Sequence, residues 1–103
     1  MINLVSIKEQ KNLTASQEYL CRNAGIAGID SETGAYMKQT RTRGKRGGIK
    51  FEITVPARQI SISEILDWGA TWRNEGWDSF SVFAKSIDDA INKANRKANR
   101  KGA

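Results

Sequence analysis

YMKQTRTRGKRGGIKFEITV, residues 36–55, is the stretch on which the fold turns. In its second half Ile49, Phe51, Ile53 and Val55 alternate with Lys50, Glu52 and Thr54, so an extended chain turns one face to a core and the other to solvent. Alternation with period two belongs to an antiparallel sheet with one covered face. The first half, Tyr36 to Arg43, is rich in threonine and in aromatic or long polar side chains. Between the halves Gly44, Lys45, Arg46, Gly47 and Gly48 supply the backbone freedom a turn requires. Two strands joined by a glycine-rich tip predict a hairpin, which Pro56 ends because proline has no N–H to give a continuing ladder.

Downstream, Ser61 or Ser63 can cap a helix with Ile62, Ile65, Leu66, Gly69 and Trp72 on one stripe and Gly76 as its stop. Trp72 lies on that stripe and Trp68 one turn before it, so these rings, with Trp77, are expected to pack into the core or against Phe80. Phe80, Val82 and Ala84 then alternate with Ser79, Ser81 and Phe83, which predicts another strand and leaves Phe83 on its polar face. Ser86 with Asp89 three residues on resembles a capping box, and a helix is predicted over 87–101, acidic at its start and basic at its end. Upstream, Thr14 and Gln17 have capping-box spacing and Gly25 suits a left-handed stop, predicting a helix over 15–24. Residues 25–34, with three glycines and the run Asp30, Ser31, Glu32, Thr33, read as loop. Ile2, Leu4, Val5 and Ile7 fit either a short strand or an extended arm.

The expected class is α+β: a small antiparallel sheet of three or four strands with helices packed on one face. If residues 2–7 form a strand, the order matches the split βαββαβ of ferredoxin-like domains plus a C-terminal helix. A chain of 103 residues suits one domain, whose last residues, 95–103, form an end prone to fraying.

Composition removes several function classes. With one cysteine, Cys21, and no histidine, the chain has no internal disulfide, no His/Cys zinc site, no serine triad and no imidazole proton transfer. Cys21 reads as a buried helix residue. No phosphate-binding Gly-rich loop with Lys-Ser/Thr is present, Asp88 and Asp89 are explained as helix-start residues, and no cofactor is expected. No apolar run nears the roughly 20 residues a membrane crossing needs, and no leader pattern is visible, so a cytoplasmic location is expected.

The net charge is +6, and it is segregated: residues 35–50 carry six cations and no acid, residues 61–84 sum to −3, and residues 85–103 sum to +4. Separated basic blocks make a directed positive field that draws polyanions. In the hairpin the candidates are Lys38, Arg41, Arg43, Lys45, Arg46 and Lys50; a two-stranded ribbon fits a DNA major groove. In the last helix Lys93, Arg96, Lys97, Arg100 and Lys101 share a basic face, Ile87, Ala90, Ile91, Ala94 and Ala98 an apolar one, and Asn92, Asn95 and Asn99 a third. Asparagine beside arginine can meet both phosphate oxygens and base edges. The bland alternatives are an edge hairpin charged against aggregation and a solvated helix end.

The expected function is therefore non-enzymatic nucleic-acid binding, DNA or RNA, through the basic hairpin (about 36–55) and the basic helix (about 87–101). The aromatic pattern of RNA-recognition motifs is absent, since Phe51 is the one aromatic of its strand and sits on the apolar face. Stacking on unpaired bases is open to whichever of Tyr36, Phe83 or the tryptophans is exposed. One alternative is a protein-binding inhibitor or adaptor, of viral or plasmid type, acting on a nucleic-acid-processing enzyme. Another is a histidine-free ribonuclease using Tyr36, Arg41 and Arg43.

Overall fold

The structure, a computed structural model, describes residues 2–11, 13–56, 59 and 78–101. Among them the elements run β1 (Val5–Ser6), a 3-10 turn (Ile7–Glu9), α1 (Ala15–Ala24), β2 (Ile26–Ile29), β3 (Tyr36–Arg43), β4 (Ile49–Val55), β5 (Asp78–Ala84) and α2 (Ile87–Lys101). The helix read over residues 61–76 and the three tryptophans lie outside the described residues.

The class is the α+β one expected, with five strands in the sheet. Each strand pairs antiparallel with its chain neighbour, in the order β1-β2-β3-β4-β5. The split ferredoxin-like order is therefore not the arrangement: a strand at Ile26–Ile29 stands between β1 and the hairpin, and the sheet is a simple meander. Part of the expected 25–34 loop is thus strand. Ile26, Ala27, Gly28 and Ile29 are buried at every position, so β2 shows none of the alternation that marks a half-covered strand.

α1 begins with the predicted reciprocal cap: Gln17 N–H donates to the Thr14 hydroxyl oxygen at 3.1 Å, and Thr14 N–H donates to Gln17 Oε1 at 3.1 Å. It ends at Gly25, whose φ of 78° turns the chain straight into β2. Tyr36 and Met37 are consecutive and so face opposite sides of β3. Met37 joins Phe51, Ile53, Val82 and Ala84 in the main core, closed by Ala90, Ile91 and Ala94 of α2. Tyr36 packs on a smaller cluster of Ile7, Cys21, Ile26 and Ile29, which α1 closes at the β2 end of the sheet.

Two rows of hydrogen bonds hold α2. Asn95 Oδ1 accepts from Leu4 N–H (2.7 Å) while Asn95 Nδ2 donates to Leu4 O (3.1 Å). Asn99 repeats the pattern on Ile2, at 2.9 and 3.1 Å. On the β5 side Lys93 Nζ donates to Phe83 O (2.9 Å) and Lys97 Nζ to Ser81 O (3.1 Å). In both rows residues four apart on the helix meet residues two apart on an extended chain running the other way.

Truncating Asn95 removes two hydrogen bonds and strands the Leu4 backbone groups beneath the helix, at about 1 kcal/mol per bond. Asn95→Ala is expected to cost about 1–3 kcal/mol, which in a domain this size lowers Tm by about 4–8 °C per kcal/mol. A thermal melt of N95A indistinguishable from wild type would show that the asparagine row contributes nothing.

Candidate nucleic-acid interface

The hairpin tip folds down onto the end of β5. Gly44 N–H donates to Gly48 O at 2.7 Å to close the tip, and the β3–β4 register shifts between Gln39 and Arg43 just before it. A Cβ on Gly44 would sit 2.8 Å from Phe83 Cδ2, so only glycine lets the tip lie this close to the ring. Phe83 itself pairs with Lys50 in register, on the face of the sheet turned away from α2. It is 44 % exposed, whereas its neighbours Val82 and Ala84 are buried in the core.

Arg43, Lys45 and Arg46 of the tip, Lys85 of the β5–α2 connection, and Asp89 and Lys93 of α2 surround an open cavity of about 720 Å³ floored by Phe83 and Ala84. Lys93 also borders a second, more open hollow of about 520 Å³, lined with Val82, Arg96, Lys97 and Arg100. The structure thus joins part of the hairpin cluster to the helix cluster, with Lys93 shared between the two hollows.

The cations differ in how they are held. Lys93 bonds the Phe83 carbonyl and lies 3.4 Å from Asp89 Oδ2. Lys97 bonds the Ser81 carbonyl and sits 5.5 Å from the centroid of the Phe80 ring. Among the described residues, none of Arg43, Lys45, Arg46, Lys85, Arg96 and Arg100 has a carboxylate within ion-pair distance.

Other expected site residues are not brought to these hollows. Lys38 faces Glu52 in register, and Lys50 Nζ lies 3.9 Å from Glu52 Oε1, so both belong to the sheet's polar face around one acid. Arg41 is exposed in the irregular stretch of β3 and borders neither hollow. Lys101 is the last residue of α2. The asparagine face divides as well: Asn95 and Asn99 are spent on the backbone of residues 2–4, leaving Asn92 exposed. Lys85 was not singled out by pattern, because it lies between two elements and periodicity assigns a connecting residue no face.

The cationic ribonuclease trio is not assembled. Tyr36 and Arg43 stand at opposite ends of β3, about 23 Å apart along the strand at roughly 3.3 Å per residue, and Tyr36 packs beneath α1. Among the described residues no group of three or more His, Cys, Asp or Glu side chains could hold a metal ion, and no helix is long and apolar enough to cross a membrane. Protein-family models, curated proteins and solved structures yield no match to this chain.

Cys21 is fully buried, and burial first, then the charge of Glu18, pushes its thiol above the ordinary range. Both effects suppress the reactive thiolate. In the folded protein at about pH 8, Cys21 is expected to react with a thiol reagent far more slowly than a small free thiol, and to reach the free-thiol rate in denaturant. Equal rates in the two conditions, read by absorbance, would contradict this placement.

Proposed function

We propose that the chain is a non-enzymatic nucleic-acid-binding domain that grips a phosphate backbone between the tip of the β3–β4 hairpin and the basic side of α2, and that it acts in the cytoplasm. The observation that carries the reading is the convergence of Arg43, Lys45 and Arg46 with Lys85 and Lys93 on one cavity. Among the described residues that line it the one carboxylate, Asp89, already faces Lys93. Arg96 and Arg100 extend the positive track along the helix. Planar guanidinium groups with no carboxylate partner among the described residues suit bidentate contact with phosphate, and release of condensed counterions drives such binding. Lys38, Arg41 and Lys50 supply further positive field from the hairpin's strands.

The test is a titration of labelled oligonucleotides by fluorescence anisotropy across salt. With six to ten phosphate contacts, affinity is expected to fall by about three to five orders of magnitude between about 50 and 200 mM salt. Replacing Arg43, Lys45 and Arg46 together by alanine is expected to reduce the slope of log K against log salt by about three, at about 0.9 per phosphate contact. Lys11→Ala, an exposed cation outside both hollows, is expected to leave the slope unchanged. Binding indifferent to salt would overturn the reading. Failure to bind any oligonucleotide while capturing a protein partner would favour the inhibitor or adaptor alternative.

A further inference from the structure

We infer that the cavity under the hairpin tip is a single-nucleotide seat for an unpaired strand, in which a base stacks on Phe83 and the flanking phosphates meet the cations of the rim. This rests on the nucleic-acid reading above and narrows it to single-stranded ligands.

Phe83 occupies a position that strand periodicity assigns to the polar face, shared by Ser79 and Ser81, and it is 44 % exposed. An aromatic ring there forfeits the burial that would repay its presence. The ring is also not loose. Gly44 lies against it, closely enough that a Cβ would come within 2.8 Å of Cδ2 and 3.3 Å of Cε2, and the Phe83 carbonyl accepts from Lys93. A ring packed against the hairpin tip on one side, with much of its remaining surface open, needs little further ordering to receive a flat partner.

The surroundings define that partner. The floor is apolar, made by Phe83 and Ala84, while Arg43, Lys45, Arg46, Lys85 and Lys93 stand around it. An apolar seat with a cationic rim matches a group that has a flat aromatic face and an attached anion. The volume of about 720 Å³ is that of a small-ligand site. In a duplex each base is covered on both faces by its stacked neighbours, so a ring at the bottom of a cavity reaches only a base that is already unpaired. Stacking of this kind tolerates any base, because every base has a π-face.

The experiment compares three ligands of equal length with the intact protein: a single-stranded oligonucleotide, a fully paired hairpin duplex, and a charge-matched abasic sugar-phosphate strand. The abasic strand is expected to bind about 5- to 100-fold more weakly than the base-bearing strand. Phe83→Leu is expected to lose a similar factor on the single strand only, with the salt slope of the wild type, and Phe83→Trp to retain the wild-type preference; thermal melts establish that each variant is folded. Equal affinity for abasic and base-bearing strands, or a Phe83→Leu loss that is the same on duplex and single strand, overturns the inference while leaving phosphate binding intact. So does displacement of the single strand by an acidic peptide as effectively as by unlabelled strand. Absence of binding to all three ligands overturns the broader reading, a different and recognisable result.

Discussion

Four residues of an α-helix advance about 6 Å and two residues of an extended chain about 6.8 Å, and this near coincidence fastens the molecule together. α2 exploits it on two sides: Asn95 and Asn99 meet Leu4 and Ile2, and Lys93 and Lys97 meet Phe83 and Ser81. An asparagine amide offers one donor and one acceptor, so each pairs with both backbone groups of a single residue and stands in for a strand neighbour. A lysine offers only donors, and each meets an outward carbonyl of β5. The rest of the packing follows from these two rows. In the described sheet β1 and β5 are the outermost strands, so a helix bonded both to β5 and to the segment leading into β1 draws the two margins toward itself. Laid flat, five strands would span about 19 Å, against a helix about 10 Å across, so the sheet must curl. Ala90 and Ala94 on the buried side let the helix sink close to Phe51 and Met37.

The same rows set the electrostatics. With Lys93 and Lys97 leaning onto β5 and Asn95 and Asn99 onto residues 2–4, the helix has no rotational freedom left, and Arg96 and Arg100 are held on its exposed side. Lysine along an edge strand is a common guard against unwanted strand pairing. Here the lysines reach the edge strand from the helix, and Lys93, which bonds the Phe83 carbonyl, also lines the cavity beside the ring. The structural and the ligand-binding roles open to the basic helix are therefore distributed among its residues: Lys93 and Lys97 are engaged internally, whereas Arg96 and Arg100 have no carboxylate partner among the described residues.

What the sequence made legible was what local pattern encodes. The alternation of Ile49, Phe51, Ile53 and Val55 marked β4, the Thr14–Gln17 pair marked the start of α1, and the three-way division of residues 87–101 marked α2. β2 was illegible because a strand covered on both faces has no alternation, and its glycine and short length imitate a loop. The asparagine column pointed outward on the helical projection, but a projection cannot show that an extended segment some ninety residues away lies beside it. Charge runs located the basic blocks without saying how strand alternation would divide them. Lys38 and Lys50 share the polar face with Glu52, while Arg43, Lys45 and Arg46 reach the cavity because the tip bends over Phe83.

The pairing of residues 2 and 4 with 99 and 95 also bears on the order of events during synthesis. A meander can assemble strand by strand as it leaves the ribosome, since each new strand finds its partner immediately upstream. Ile2 and Leu4 meet their helical partners only after more than ninety further residues have been made. Contacts of such long sequence separation raise contact order and slow the final step. Until α2 arrives, the nascent sheet carries an uncovered apolar face, the stage at which such chains are most exposed to aggregation.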